Sequence, residues 1–170
     1  MSDLRSILIF LLLLPAISLA QTIHVNKEGE INYKGVIGMQ GESKNDFYQK
    51  AKNILLTYVN PNADSLIEKK EKQEIRTSGE VNISTSYQSI RKFRFQMKLQ
   101  SNEQGIGYEI DNVQLIAGER GKKPKTIPSP ALVKGMEESG TVAKETEKTL
   151  NAIDMHIQKL IAVIQSQASK

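Results

Sequence analysis

Residues 92–100 alternate without a fault. Phe93, Phe95, Met97 and Leu99 share one parity, and Lys92, Arg94, Gln96, Lys98 and Gln100 share the other. Successive side chains of a β-strand point to opposite faces, so this run dictates a strand with one dry face and one wet face. The dry face needs a cover, and an antiparallel sheet with helices on one side supplies it.

Two amphipathic helices can provide that cover. Leu150, Ile153, Ile157, Leu160, Ile161 and Ile164 recur at helical spacing and predict a helix over about 143–166. Phe47, Ala51, Ile54, Leu55 and Tyr58 form a second stripe, which predicts a helix over about 44–59. Ser43 and Asp46 stand where a capping box would start it, and Asn60-Pro61-Asn62 would stop it.

The strands fall between these helices. Residues 31–39 read as an opening strand, broken at Gly41. Residues 65–75 are charged with few apolar anchors, the mark of an edge strand, and Val81, Ile83 and Thr85 alternate with polar neighbours. Residues 101–105 close a hairpin into Ile106, Tyr108 and Ile110. The apolar parity then changes to Val113 and Leu115, so a bulge is expected at Asp111-Asn112. The resulting order is β-α-β-β-β-β-α, an α+β fold with an antiparallel sheet and two helices on one face. Its parts are an N-terminal arm (21–30), a core domain (31–118), a Pro/Gly-rich connector (119–141) expected to be extended or partly mobile, and a C-terminal helical segment (142–170).

Residues 1–20 stand apart. The apolar run Ile7–Leu14, then Pro15 and the small residues Ser18 and Ala20, fits a secretory signal peptide cut before Gln21. The run is too short to span a bilayer, so the expected product is exported to the periplasm or medium with no stable membrane span. The chain has no cysteine, so no disulfide framework supports it and burial must.

The opening strand Tyr33-Lys34-Gly35-Val36-Ile37, the joint Gly41-Glu42-Ser43-Lys44, the helix start Phe47-Tyr48 with Ala51, and the hairpin from Phe93 to Ile110 together resemble a known family. It is the exported bacterial domain-of-unknown-function family numbered 4468, described as having a TBP-like fold, and the likeness covers about residues 31–118. The resemblance implies a fold and a compartment and leaves the function open.

The residues themselves offer little catalytic chemistry. His24 and His156 are far apart and flanked by no metal-ligand spacing, so neither metal nor cofactor is expected. His24 falls in the terminal arm and His156 at the margin of an apolar stripe. No G-x-S-x-G occurs, and the carboxylate pairs Glu137-Glu138 and Glu109/Asp111 read as surface. Gly118–Lys123 lacks the Walker spacing and reads as a strand exit, and the sequon Asn82-Ile83-Ser84 reads as an outward polar position.

Lys92, Arg94, Gln96 and Lys98 occupy alternate outward positions along about 20 Å of strand. Either Glu80 and Glu109 on flanking strands neutralise them, or they stand clear as a docking face for an acidic partner. Nucleic acid is not expected there, because the aromatics that would stack on bases lie on the opposite face. The sequence therefore points to an exported, non-enzymatic binding or structural module of the bacterial cell envelope. Its partner would be another envelope protein or an anionic surface component. The alternative is an enzyme or small-ligand carrier whose site assembles only in space.

Overall fold

The computed structural model describes residues 24–38, 43–60, 63–84, 89–119, 121–137 and 139–168. The signal segment and its cut, the Gly41 break, Pro61-Asn62, Thr85, Arg120 and Glu138 lie outside the described residues.

Among the described residues, six strands and three α-helices follow in chain order: β1 (Tyr33–Gly38), α1 (Lys44–Ile54), β2 (Ile67–Lys69), β3 (Glu74–Ser84), β4 (Ser89–Asn102), β5 (Gly105–Glu119), β6 (Lys125–Pro128), α2 (Ser129–Gly135) and α3 (Thr141–Ala168). The sheet is antiparallel, in the order β1-β5-β4-β3-β2. Strand β4 pairs with β5 along its full length, so β1 and β6 must share the other edge of β5. β1 lies opposite Gly105–Ile110, and β6 lies opposite Gln114–Ala117.

The alternating run does what its pattern demands. Phe93, Phe95, Met97 and Leu99 are all buried, and α1 and α3 cover that face. The expected bulge is present. Between the pairs Arg94↔Gln114 and Gln96↔Asp111, Phe95 alone faces both Asn112 and Val113, and Asn112 takes a left-handed φ of 50°. The extra residue switches the parity of β5, and Val113 and Leu115 join Ile106 and Ile110 in the core. Two core-facing glycines lie under aromatic rings of the next strand. A Cβ at Gly35 would stand 2.5 Å from the Tyr108 hydroxyl, and one at Gly79 would stand 2.5 Å from Phe95 Cζ.

Helix α1 starts on the expected box: Ser43 Oγ accepts the Asp46 N–H, and the Asp46 carboxylate accepts the Ser43 N–H at 3.1 Å. Its end differs. A π-helical turn, Leu55–Val59, continues the helix and closes with Asn60 N–H donating to the Leu55 carbonyl at 2.9 Å. The wider turn moves the inward position one residue on, so Val59 packs against the core and Tyr58 is exposed. Helix α3 buries Leu150, Ile153, Ile157, Ile161 and Ile164 within its own chain.

Two sequence expectations need correction. The charged segment 65–75 is no single strand: β2 turns through a 3₁₀ segment, Lys70–Lys72, into β3, with Gln73 at φ 47° making the reversal. Its first part, β2, is nevertheless a sheet edge. Within the connector, residues 125–135 form a strand and a helix rather than an extended or mobile run. Ile127 and Leu132 gave too sparse a pattern to read, yet β6 joins β5, and Leu132 and Ser129 are buried. The arm is a hairpin around Gly29 (φ 79°), tied by the Val25–Ile31 bridge and by Asn26 Oδ1 accepting the Glu28 and Glu30 N–H groups.

Candidate functional site

The outward face of the sheet bears the residues singled out by alternation. Glu80 on β3 takes both Lys92 and Arg94, the latter with Nε donating at 2.8 Å. Glu109 on β5 takes Lys98 from one side and Lys34, at 2.6 Å, from the other. Hydrogen bonds from Lys34 and then Lys98 hold the Glu109 carboxyl down at about 2, and those from Lys92 and Arg94 hold Glu80 below its usual range. Burial, then the charge of Glu109, pushes neighbouring Asp111 up. The row Lys92, Arg94, Gln96, Lys98 is therefore a cross-strand network with its acids in place. Asn82 is exposed and lies opposite Lys92 in the strand register.

The second place of interest is on the helix side of the sheet, where the arm, β1, β5 and α3 meet. Tyr33 points inward from β1, and its hydroxyl donates to Asp154 Oδ1 at 2.6 Å. Both residues are buried, and Asp154 is only 1% exposed. Asp154 Oδ2 has no hydrogen-bond partner among the described residues. Burial first, and then this carboxylate, push the Tyr33 phenol far above its ordinary range. The His24 ring stands edge-on to Tyr33 at 5.4 Å.

Beside this pair opens a cleft of about 490 Å³, within the usual range for small-ligand sites. Asn32, Tyr33 and Lys34 line it from β1 and its approach, Tyr108 from β5, Gln158 and Ile161 from α3, and His24 from the arm. Gln158 and Ile161 follow Asp154 by four and seven residues, one face of the helix, so the pair that locks Tyr33 also sets the wall of the cleft.

A cleft of similar size, about 530 Å³, lies on the other face between Val59, Asn60, Ser78, Glu80 and Arg94. Its polar groups already bond to one another: Glu80 with Arg94, and Asn60 Nδ2 with the Ser78 carbonyl at 3.0 Å. His156 stands half-buried, its ring 6.2 Å from Phe93, at the boundary position its sequence context suggested. Sequence reasoning missed the cleft entirely. Its lining residues are scattered from position 24 to 161, and no spacing rule connects them.

A family model, the domain of unknown function DUF4468 with TBP-like fold, matches residues 33–115. Over those residues the chain is similar to this family, the one its sequence resembles. Two solved structures share the fold. One is a TBP-like protein from Parabacteroides distasonis ATCC 8503, with TM-score 0.69, 16% identity and coverage of 86% of this chain and 96% of that one. The other is a DUF4468 family protein from Bacteroides ovatus ATCC 8483, with TM-score 0.57, 17% identity and coverage of 86% and 91%. No curated protein matches the chain. The α+β fold with an antiparallel sheet is thus the TBP-like fold that the sequence resemblance implied. The matched segment holds Tyr33, Lys34 and Tyr108 of the cleft. His24, Asn32, Gln158 and Ile161 come from the flanking arm and α3.

Proposed function

We propose that this chain is an exported, non-enzymatic binding module of the bacterial cell envelope, and that it binds in the cleft beside Tyr33 and Asp154. One observation carries the reading. The side chains of Asn32, Gln158 and Tyr108 line a cleft of about 490 Å³, and their amides and hydroxyl have no hydrogen-bond partner among the described residues. All three residues are partly exposed, so these groups bond to water in the free chain and are available to a ligand that displaces it. The outer face lacks this property. Its cations are matched by Glu80 and Glu109, which would compete with any acidic partner.

Export rests on the leader sequence, and among the described residues no helix is long and apolar enough to cross a membrane. N-terminal sequencing of the chain recovered outside the cytoplasm should give Gln21 as its first residue. An intact Met1 chain in the membrane would refute export.

Ligand-observed NMR with a fragment library tests the location. Hits should disappear in the double variant Tyr108→Phe, Gln158→Leu and persist when Lys92, Arg94 and Lys98 are all changed to Gln. The reverse pattern would move the site to the outer face.

A further inference from the structure

We infer that the ligand of this cleft is a neutral, polyhydroxylated molecule, a saccharide, and this rests on the cleft being the binding site. The argument begins with charge. Among the described lining residues Lys34 alone carries a fixed charge, and its ammonium is held by Glu109 at 2.6 Å. Asp154, the nearest buried acid, keeps Oδ1 on Tyr33 and is itself shut off from solvent. An anionic ligand would find no unpaired cation, and a cationic one no accessible acid.

What remains open is balanced between donors and acceptors. Each amide, Asn32 and Gln158, carries two N–H donors and one carbonyl acceptor, and the Tyr108 hydroxyl can serve in either role. His24 adds a ring nitrogen of each kind when neutral. Vicinal hydroxyls are the ligand groups that use such a set fully, because every hydroxyl both donates and accepts. A carboxylate or phosphate would leave the amide carbonyls facing its own oxygens, and an ammonium would leave the N–H groups facing its hydrogens.

The walls fit the same chemistry. Tyr108, partly exposed, brings an aromatic ring to the cleft, so flat apolar surface stands beside the polar groups. A sugar ring has that same duality, with C–H groups on its faces and hydroxyls around its rim. The aromatic surface is also fixed in place. Tyr33 is tied to α3 through Asp154, and Tyr108 lies over Gly35, where a Cβ would stand 2.5 Å from its hydroxyl. A preorganised wall lowers the ordering cost of binding. The volume, about 490 Å³, accommodates one or two sugar rings.

Calorimetric titration of the full mature chain tests this. The probes are cellobiose and N,N′-diacetylchitobiose as free neutral sugars, insoluble cellulose and chitin as the same units held in a polymer, and putrescine and citrate as small charged molecules. The expected result is binding of at least one neutral sugar in the millimolar range or tighter, weakened about tenfold by Gln158→Leu. Tyr108→Phe keeps the ring over Gly35 and removes only the hydroxyl, so it guards against a folding defect in the first variant, and circular dichroism checks both. Binding to the free disaccharide assigns a soluble sugar, and co-sedimentation with the polymer alone assigns a surface glycan. Binding of putrescine or citrate in the cleft with no response to any sugar overturns the ligand class and leaves the binding reading standing. No binding of any probe overturns both.

Discussion

Changing Tyr33 to Phe removes one oxygen and should cost far more than the loss of one surface hydrogen bond. The hydroxyl donates to Asp154 Oδ1 at 2.6 Å, Oδ2 has no partner among the described residues, and Asp154 is 1% exposed. Tyr33→Phe therefore leaves a buried carboxyl with no side-chain partner among the described residues. A hydrogen bond to a charged group contributes about 1.5–3 kcal/mol, and stranding a buried charge raises the loss to about 3–5 kcal/mol, so about 3 kcal/mol is expected. In a chain of this length that lowers Tm by about 6–12 °C. Leucine has the branched shape of aspartate without its oxygens, and replacing both partners by apolar groups of like shape is close to neutral. The double variant Tyr33→Phe, Asp154→Leu should thus fall within about 1 kcal/mol of the parent, well above the Tyr33→Phe single variant. Urea unfolding of the parent, both singles and the double gives the coupling directly, provided the m-value is constant. A Tyr33→Phe loss below about 0.5 kcal/mol, or a double variant equal to the sum of the singles, would refute the reasoning.

Other consequences follow from the same structure. Glu109 sits at about 2 in the folded chain against an ordinary 4.5, so its contribution is present above pH 4.5 and is lost as pH falls toward 2. Glu109→Gln should flatten acid unfolding in that window, as measured by urea midpoints at stepped pH. Gly79→Ala places a methyl 2.5 Å from Phe95 Cζ and 3.0 Å from Val59 Cγ1, with a loss of about 1–3 kcal/mol by thermal unfolding. Ile157→Asp buries a carboxylate at a site 1% exposed and should unfold much of the population, visible as loss of far-ultraviolet ellipticity. Arg94→Gln, on the solvated face, should change stability by no more than about 1 kcal/mol in the same urea assay.

The fold was legible wherever periodicity was long. The β4 alternation and the α3 stripe each carry enough positions to fix type and face, and the parity change at Val113 placed the bulge. The capping box located the start of α1 because two side chains three residues apart perform one task. Shorter signals failed for physical reasons. The π-helical turn at Leu55–Val59 leaves no mark in a 3.6-residue pattern beyond the swap of Tyr58 for Val59. Strand β6 has four residues and helix α2 seven, too few for a period to emerge among prolines and glycines. The outward cations could be named from sequence, and so could the acids that meet them, but only the register Glu80↔Arg94 and Lys98↔Glu109 decides that they pair. The cleft was invisible because its residues share no local pattern. Tyr33 and Asp154 are 121 positions apart, and their hydrogen bond exists only once β1 and α3 pack.

Backbone amide NMR of the labelled chain, titrated with the best-binding neutral disaccharide, tests the cleft most directly. The account predicts saturable shifts concentrated at His24, Asn32, Tyr108 and Gln158, with Arg94, Gln96 and Lys98 on the outer face unmoved. Shifts centred on Arg94, Gln96 and Lys98 while the cleft stays silent would contradict it.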